Sequence, residues 1–306
     1  MKPESSAPGG VSRRVFLGAG AAAALGVASG TLGGGLAANA ADYTKVPKLP
    51  GEVSRISNVR TPKGTLYESI DVSIKGDMTR LFVPQSAPPN KTKWVPVIWF
   101  YHATNSSYSS LSSAFLHGAQ PSIDSGAVCV CPDYAGPTAW VSPPAITAQA
   151  NAVAYMNALW RIYYSFARAN SGGGALMCWA FGNRMLPRQQ GMYLASSVYD
   201  VMDSYMRGPT QVGPAYNNDT AAIQATNAAT LPQSAWQGAR IRASYNPDDT
   251  RVPPQFHAIA LETLAKPVAI ETSFITHDGG GTATGHYVPD SVNTDMLKTF
   301  QRWSSL

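Results

Sequence analysis

Ser171 stands in the run Ala169-Asn170-Ser171-Gly172-Gly173-Gly174, between two apolar stretches. A serine hydroxyl is a weak nucleophile until an imidazole takes its proton and an acid orients that imidazole. Five histidines are available as the base: His102, His117, His257, His277 and His286. His286, in Thr284-Gly285-His286-Tyr287, falls in a loop between the last expected strand and the last expected helix. The glycine before it permits a tight placement. His277 lies nearer the strand end and is the reserve base. His102 follows an apolar run and suits an oxyanion loop. His117 and His257 fall in expected helices as surface or packing residues. For the acid, Asn246-Pro247-Asp248-Asp249-Thr250-Arg251-Val252 follows a short strand. The D-x-x-V spacing favours Asp249, with Val252 packing inward while the carboxylate faces the histidine. Asp248, one residue off, and Asp200 are the alternatives.

These groups need a frame that brings them together. Residues 41–64 read as an irregular lead-in, and 66–74 with 80–83 as an antiparallel strand pair. Continuous apolar runs at 94–101 and 127–131 fit strands buried on both faces, and 162–169 is a third strand that runs into Ser171. Shorter strands are expected at 192–196, 241–245 and 268–275. Helices are expected at 111–124, 145–160, 175–181, 219–228, 254–266 and 291–304. This alternation predicts an α/β fold: a mostly parallel central sheet with helices on both faces. Residues 200–237 form the one segment long enough to be a small cap or lid.

In such a sheet ligands bind beyond the carboxyl ends of the strands, and Ser171 falls there. A sharp strand-to-helix turn lifts its Oγ above the sheet, needs positive φ and leaves little room beside the backbone. Small residues on both sides meet that demand. The following helix points free amides at the site, and Gly172 N–H is the obvious oxyanion donor. Two other readings compete. A Ser-Gly-Gly-Gly linker would need no strand before it. A register centred on Cys178-Trp179-Ala180-Phe181-Gly182 would put alanine at the nucleophile position.

The chain order Ser171, Asp249, His286 belongs to one triad architecture. With it, the sequence resembles the α/β-hydrolase superfamily over about residues 66–305. The resemblance rests on His102-Ala103-Thr104-Asn105, Pro132-Asp133-Tyr134-Ala135-Gly136, the Ser171 turn, Asp248 to Val252, and Thr284 to Tyr287. The superfamily's usual His-Gly is His102-Ala103 here. The resemblance implies that a backbone N–H of Ala103 or Thr104 completes an oxyanion hole with Gly172. It also implies acyl transfer to water through an acyl-serine, by a serine esterase or lipase-like enzyme acting on a small-molecule or lipid-like ester. A peptidase of the same fold is the first alternative. An exported binding protein that keeps the scaffold without catalysis is the second. No cofactor or metal is expected. Trp94, Trp99, Tyr101, Tyr108, Tyr134 and Trp140 fall near expected strand ends and are candidates to line an acyl pocket.

Composition adds a compartment. Charged residues are 13% of the 306, against about 25% in ordinary soluble domains, which suits an exported protein. Ser12-Arg13-Arg14-Val15-Phe16-Leu17, a Gly/Ala-rich apolar run and Ala38-Asn39-Ala40 make a charged region, a core and a cleavage site. The paired arginines resemble a twin-arginine signal. Residues 1–40 are therefore expected to be removed, leaving one domain from 41 to 306. That protein would be secreted, periplasmic or held in the cell envelope, with the twin-arginine machinery as its export partner and no stable membrane anchor. The formal net charge is +5, without a Lys/Arg block past the N-terminus, so nucleic acid is not an expected partner. Cys129, Cys131 and Cys178 have no zinc-like spacing and read as buried thiols.

Overall fold

Burial on both faces decides the architecture. In the run 94–101, Val95, Val97, Trp99 and Tyr101 enter one hydrophobic core, while Ile98 and Phe100 enter another. The next run alternates likewise, Val128 and Val130 against Cys129 and Cys131. A strand of period two with both sets buried must have layers above and below it.

The structure is a computed structural model that describes residues 45–137 and 140–305. The expected signal segment lies outside the described residues. In chain order the strands are β1 (Glu52–Arg60), β2 (Leu66–Ile74), β3 (Asp77–Pro84), β4 (Asn90–Tyr101), β5 (Val128–Pro132), β6 (Trp160–Asn170), β7 (Gln189–Ala195), β8 (Arg240–Tyr245) and β9 (Glu271–Thr276). The α-helices are α1 (Leu116–Asp124), α2 (Pro143–Leu159), α3 (Gly173–Gly182), α4 (Val201–Arg207), α5 (Pro209–Val212), α6 (Thr220–Ala225), α7 (Ala258–Ala265) and α8 (Ser291–Ser304). The described strands form one sheet in the order β1-β2-β3-β5-β4-β6-β7-β8-β9. Pairing is antiparallel from β1 to β5 and parallel from β5 to β9. Residues of α2, α3 and α7 pack into one core, and those of α1 and α8 into the other. The mostly parallel sheet with helices on both faces is the expected fold class. Among the described residues no helix is long and apolar enough to cross a membrane.

Several elements differ from the sequence reading. The expected lead-in contains β1, an edge strand paired with β2. Its Val53 and Ile56 are 62% and 67% exposed, so no buried face marks it in the sequence. The helix expected at 111–124 is split into a 3₁₀ turn at Tyr108–Ser112 and α1, with Pro121 inside α1. The 200–237 excursion holds α4 and α5 as well as the expected helix, here α6. Cys129, Cys131 and Cys178 are free and buried.

The last helix is tied to the outer strand by one carboxylate. Glu271 Oε1 accepts from Arg302 Nη2 at 2.6 Å, and its Oε2 accepts from Trp303 Nε1 at 2.9 Å. The Arg302 guanidinium beside it, with the Trp303 indole, holds the Glu271 carboxyl down to about 2 from an ordinary 4.5. A folded-state value below the unfolded one means stability that is present above pH 4.5 and lost as pH falls toward 2. Urea unfolding followed between pH 5 and about pH 2 should therefore show a slope that Glu271→Gln flattens. An unchanged slope in the variant would place the acid sensitivity elsewhere.

Candidate active site

The peptide from Ser171 to Gly174 has almost no free space. Ser171 follows β6 with φ +49°, a left-handed conformation that costs a non-glycine residue about 1–3 kcal/mol. A Cβ on Gly173 would lie 2.4 Å from the carbonyl oxygens of both Tyr101 and His102. On Gly174 it would lie 2.5 Å from the Val198 carbonyl oxygen, and on Gly172 2.0 Å from Thr104 Oγ1. The turn is also clamped by hydrogen bonds. Ser171 N–H donates to the Ala195 carbonyl at 3.1 Å, and Val198 N–H donates to the Ser171 carbonyl at 2.9 Å. The glycines are a tight turn between the ends of β4 and β7, and the linker reading fails. In the competing register, Cys178 to Gly182 lies inside α3, with Ala180 fully buried.

The turn presents Ser171 Oγ to His286. Oγ lies 2.9 Å from His286 Nε2, and His286 Nδ1 lies 2.7 Å from Asp249 Oδ2. A buried carboxylate only accepts, so Nδ1 carries the proton and Nε2 is left to accept from the serine hydroxyl. Asp249 is 3% exposed, and its Oδ1 accepts from Arg251 N–H at 2.9 Å and Val252 N–H at 2.8 Å. That turn puts Val252 into the core and the carboxylate against the histidine, as the D-x-x-V spacing requires.

The two loops are stapled. Asn246 Nδ2 donates to the Gly285 carbonyl at 3.0 Å, and Thr250 N–H donates to the Thr284 carbonyl at 2.8 Å. Gly285 has φ +69°, and a Cβ there would meet Asn246 Nδ2 at 2.5 Å. A third tie holds Tyr287. Gly279 N–H donates to His277 Nδ1 at 3.2 Å, so the other ring nitrogen carries the hydrogen. It donates to Ser196 Oγ at 3.2 Å, and Ser196 donates in turn to the Tyr287 carbonyl at 2.5 Å. Burial holds His277 below its ordinary value, which keeps it neutral in this post. Asn246 and Ser196 were not legible as site residues, since nothing local marks a side chain that bonds a loop far along the chain.

The other candidates stand elsewhere. Asp200 caps α4, accepting from Met202 N–H and Asp203 N–H. Asp248 donates its backbone N–H to Asn246 Oδ1. His102 is wedged between the carbonyls of Ala103 and Asp133, both at 3.1 Å, and joins the loops after β4 and β5. His117 is exposed. His257 is fully buried just before α7, not a surface residue; its Nδ1 accepts from Tyr199 N–H and Asp200 N–H.

Ser171 and His286 open onto a cavity of about 550 Å³, within the range of small-molecule sites. Ala103, Thr104 and Gly172 line it too. Among the described residues, the backbone N–H groups of these three make no hydrogen bond, so each is a free donor beside the serine. The 200–237 excursion contributes to the lining: Ser204, Arg207 and Gln211 border the cavity, and Trp140 Nε1 donates to the Gln211 carbonyl at 2.9 Å. Of the six aromatics considered for an acyl pocket, Trp140 alone lines this cavity. Tyr101 and Tyr134 border an adjoining space of about 30 Å³, room for one water. Trp99 is core, Tyr108 stacks under Arg80, and Trp94 lies under Arg161 and Arg188. Among the described residues no cluster of His, Cys, Asp and Glu could hold a metal ion.

No family model matches the chain, and no curated protein matches it. Solved structures do. An esterase of Pyrococcus furiosus has a TM-score of 0.56 at 12% identity, over 82% of this chain and 98% of its own. A truncated carbohydrate esterase from gut microbiota has a TM-score of 0.56 at 14% identity, over 85% and 100%. A bifunctional GH43-CE protein of Bacteroides eggerthii has a TM-score of 0.57 at 14% identity over 81% of this chain. This chain spans only 38% of that one. The chain has the α/β-hydrolase fold.

Within the α/β-hydrolase fold, Ser171, Asp249 and His286 come from the carboxyl ends of β6, β8 and β9, and the oxyanion candidates Ala103 and Thr104 follow β4. The arrangement depends on α3 lying against the β4 carbonyls, which Gly173 permits. Gly173→Ala should lower the melting temperature by several degrees, since overpacking costs about 1–3 kcal/mol. Calorimetry of the variant checks this; an unchanged melting temperature would show that the turn has slack.

Proposed function

We propose that this protein is an exported serine hydrolase of the carboxylesterase or lipase-like type. The observation that carries the reading is the hydrogen-bonded line from Ser171 Oγ through His286 to the buried Asp249 carboxylate, at a left-handed turn facing an open cavity. The esterases of the same fold support it, as does the cavity that the serine faces.

Ser171 Oγ attacks the ester carbonyl carbon while His286 Nε2 takes its proton. Asp249 holds the imidazole in the required tautomer and stabilises the imidazolium without being protonated. The negative oxygen of the tetrahedral intermediate is met by Gly172 N–H and by the N–H of Ala103 or Thr104. Loss of one such donor costs about 10²–10³ in kcat. The intermediate collapses as His286 returns the proton to the leaving alkoxide, which departs as the alcohol. Water then adds to the acyl-serine, gives its proton to His286, and the acid leaves as Ser171 regains its own.

The export half of the reading rests on the sequence of residues 12–40. Replacing Arg13 and Arg14 by lysine should retain the protein inside the producing cell, and fractionation would show it. Unimpaired export of that variant would remove the twin-arginine assignment. For the chemistry, purified mature protein should hydrolyse 4-nitrophenyl acetate and butyrate. Ser171→Ala should abolish turnover, and Asp249→Asn should lower kcat by about 10⁴. Activity unchanged in Ser171→Ala would remove the nucleophile. Peptide amides cleaved faster than esters would move the assignment to a peptidase, and inertness toward both to a binding protein.

A further inference from the structure

The cavity wall is electrostatically one-sided. Besides His286, its charged side chains among the described residues are Arg207 and Arg251, and no acidic side chain lines it. Two cations and no anion give the wall a positive sign.

The two are held differently. Arg207 ends α4 in the cap. Its Nε donates to Asp203 Oδ2 at 2.8 Å, and its guanidinium lies 5.1 Å from the centre of the Phe256 ring. Asp203 is itself 3.3 Å from Nε2 of the buried His257. The guanidinium is therefore braced from behind, and its two terminal amino groups make no hydrogen bond among the described residues. Arg251 sits two residues past Asp249, whose Oδ1 accepts its backbone N–H at 2.9 Å. Its backbone is thus placed by the same turn that orients the imidazole. Its guanidinium makes no hydrogen bond or ion pair among the described residues. Arg251 is an uncompensated cation on the wall and Arg207 a half-compensated one. Apart from these two and His286 the lining is uncharged: Val252, Val288, Thr250 and Thr284 among others.

A planar guanidinium with free N–H groups is matched by a carboxylate, which it can bind through two parallel hydrogen bonds. We propose that Arg251, assisted by Arg207, selects esters that carry a carboxylate remote from the scissile bond. This rests on the serine hydrolase reading and specifies its substrate class. A neutral ester of the same length would leave the guanidinium groups to water, and an ester with a terminal cation would be repelled.

The test compares charged and neutral ester pairs of matched shape. On the acyl side these are the mono-4-nitrophenyl esters of glutaric, adipic and suberic acids against 4-nitrophenyl pentanoate, hexanoate and octanoate. On the leaving side they are 4-acetoxybenzoate against 4-acetoxybenzamide. At least one anionic member should exceed its neutral partner in kcat/KM by about ten-fold at low salt, and the ratio should shrink as ionic strength rises. Arg251→Gln should lower that ratio several-fold, and adding Arg207→Gln should lower it to about one or below. Lys266→Gln, which removes an exposed charge that does not line the cavity, should leave the ratio where it was. Two results overturn the proposal alone: Ser171-dependent hydrolysis with no anionic preference in any pair, or a preference that survives both arginine substitutions. No hydrolysis of any ester, charged or neutral, would overturn it together with the hydrolase reading.

Discussion

Everything at this site depends on how little volume surrounds the peptide from Ser171 to Gly174. The backbone there passes within contact distance of carbonyl oxygens at the end of β4 and in the loop after β7. A side chain larger than hydrogen at Gly173 or Gly174 would strike main chain, which cannot swing aside as a side chain could. The same crowding forces Ser171 into a left-handed conformation and aims its hydroxyl away from the sheet. Strain of this size persists only where the surroundings over-determine it. Here two backbone hydrogen bonds and three glycines do so.

Once the serine is fixed, the other two groups have to come to it, and they arrive on separate loops. The loop after β8 carries Asp249 and the loop after β9 carries His286. What makes one unit of them is the set of hydrogen bonds from Asn246 and Thr250 to the backbone on either side of Gly285. The carboxylate spends one oxygen on the backbone of its own turn and the other on the imidazole. It can therefore neither rotate nor accept a proton without losing bonds. The Ser196–His277 contact does similar work from the far side, so a second histidine serves the geometry of the first.

The sheet was largely legible because its strands are buried on both faces. Runs such as 94–101 and 127–131 are continuous and apolar, and they are strands in the structure. Elements without a two-sided core were harder to read. β1 is an edge strand with exposed Val53 and Ile56, and in the sequence it resembles a loop. α4 and α5 are too short to show a helical period, and they form because Asp200 caps the first and Pro209 opens the second. At the site, the small residues flanking Ser171, the D-x-x-V turn and the glycine before His286 pointed to the side chains that meet. The choice between acids could be ranked but not made from spacing, because only the fold shows Asp200 engaged at a helix start. The aromatic lining was misjudged for the same reason. Proximity to a strand end does not say which end, and Trp94 lies at the far one.

The proposed chemistry needs Ser171 to be activated by its neighbours rather than merely beside them. A fluorophosphonate reacts with an activated serine, the oxygen displacing fluoride from phosphorus, and leaves ordinary serines untouched. Treatment of the folded mature protein, followed by mass mapping, should put one adduct on the peptide containing Ser171, and His286→Ala should prevent it. Labelling of another serine, or none in protein shown to be folded, would mean that Ser171 is not activated.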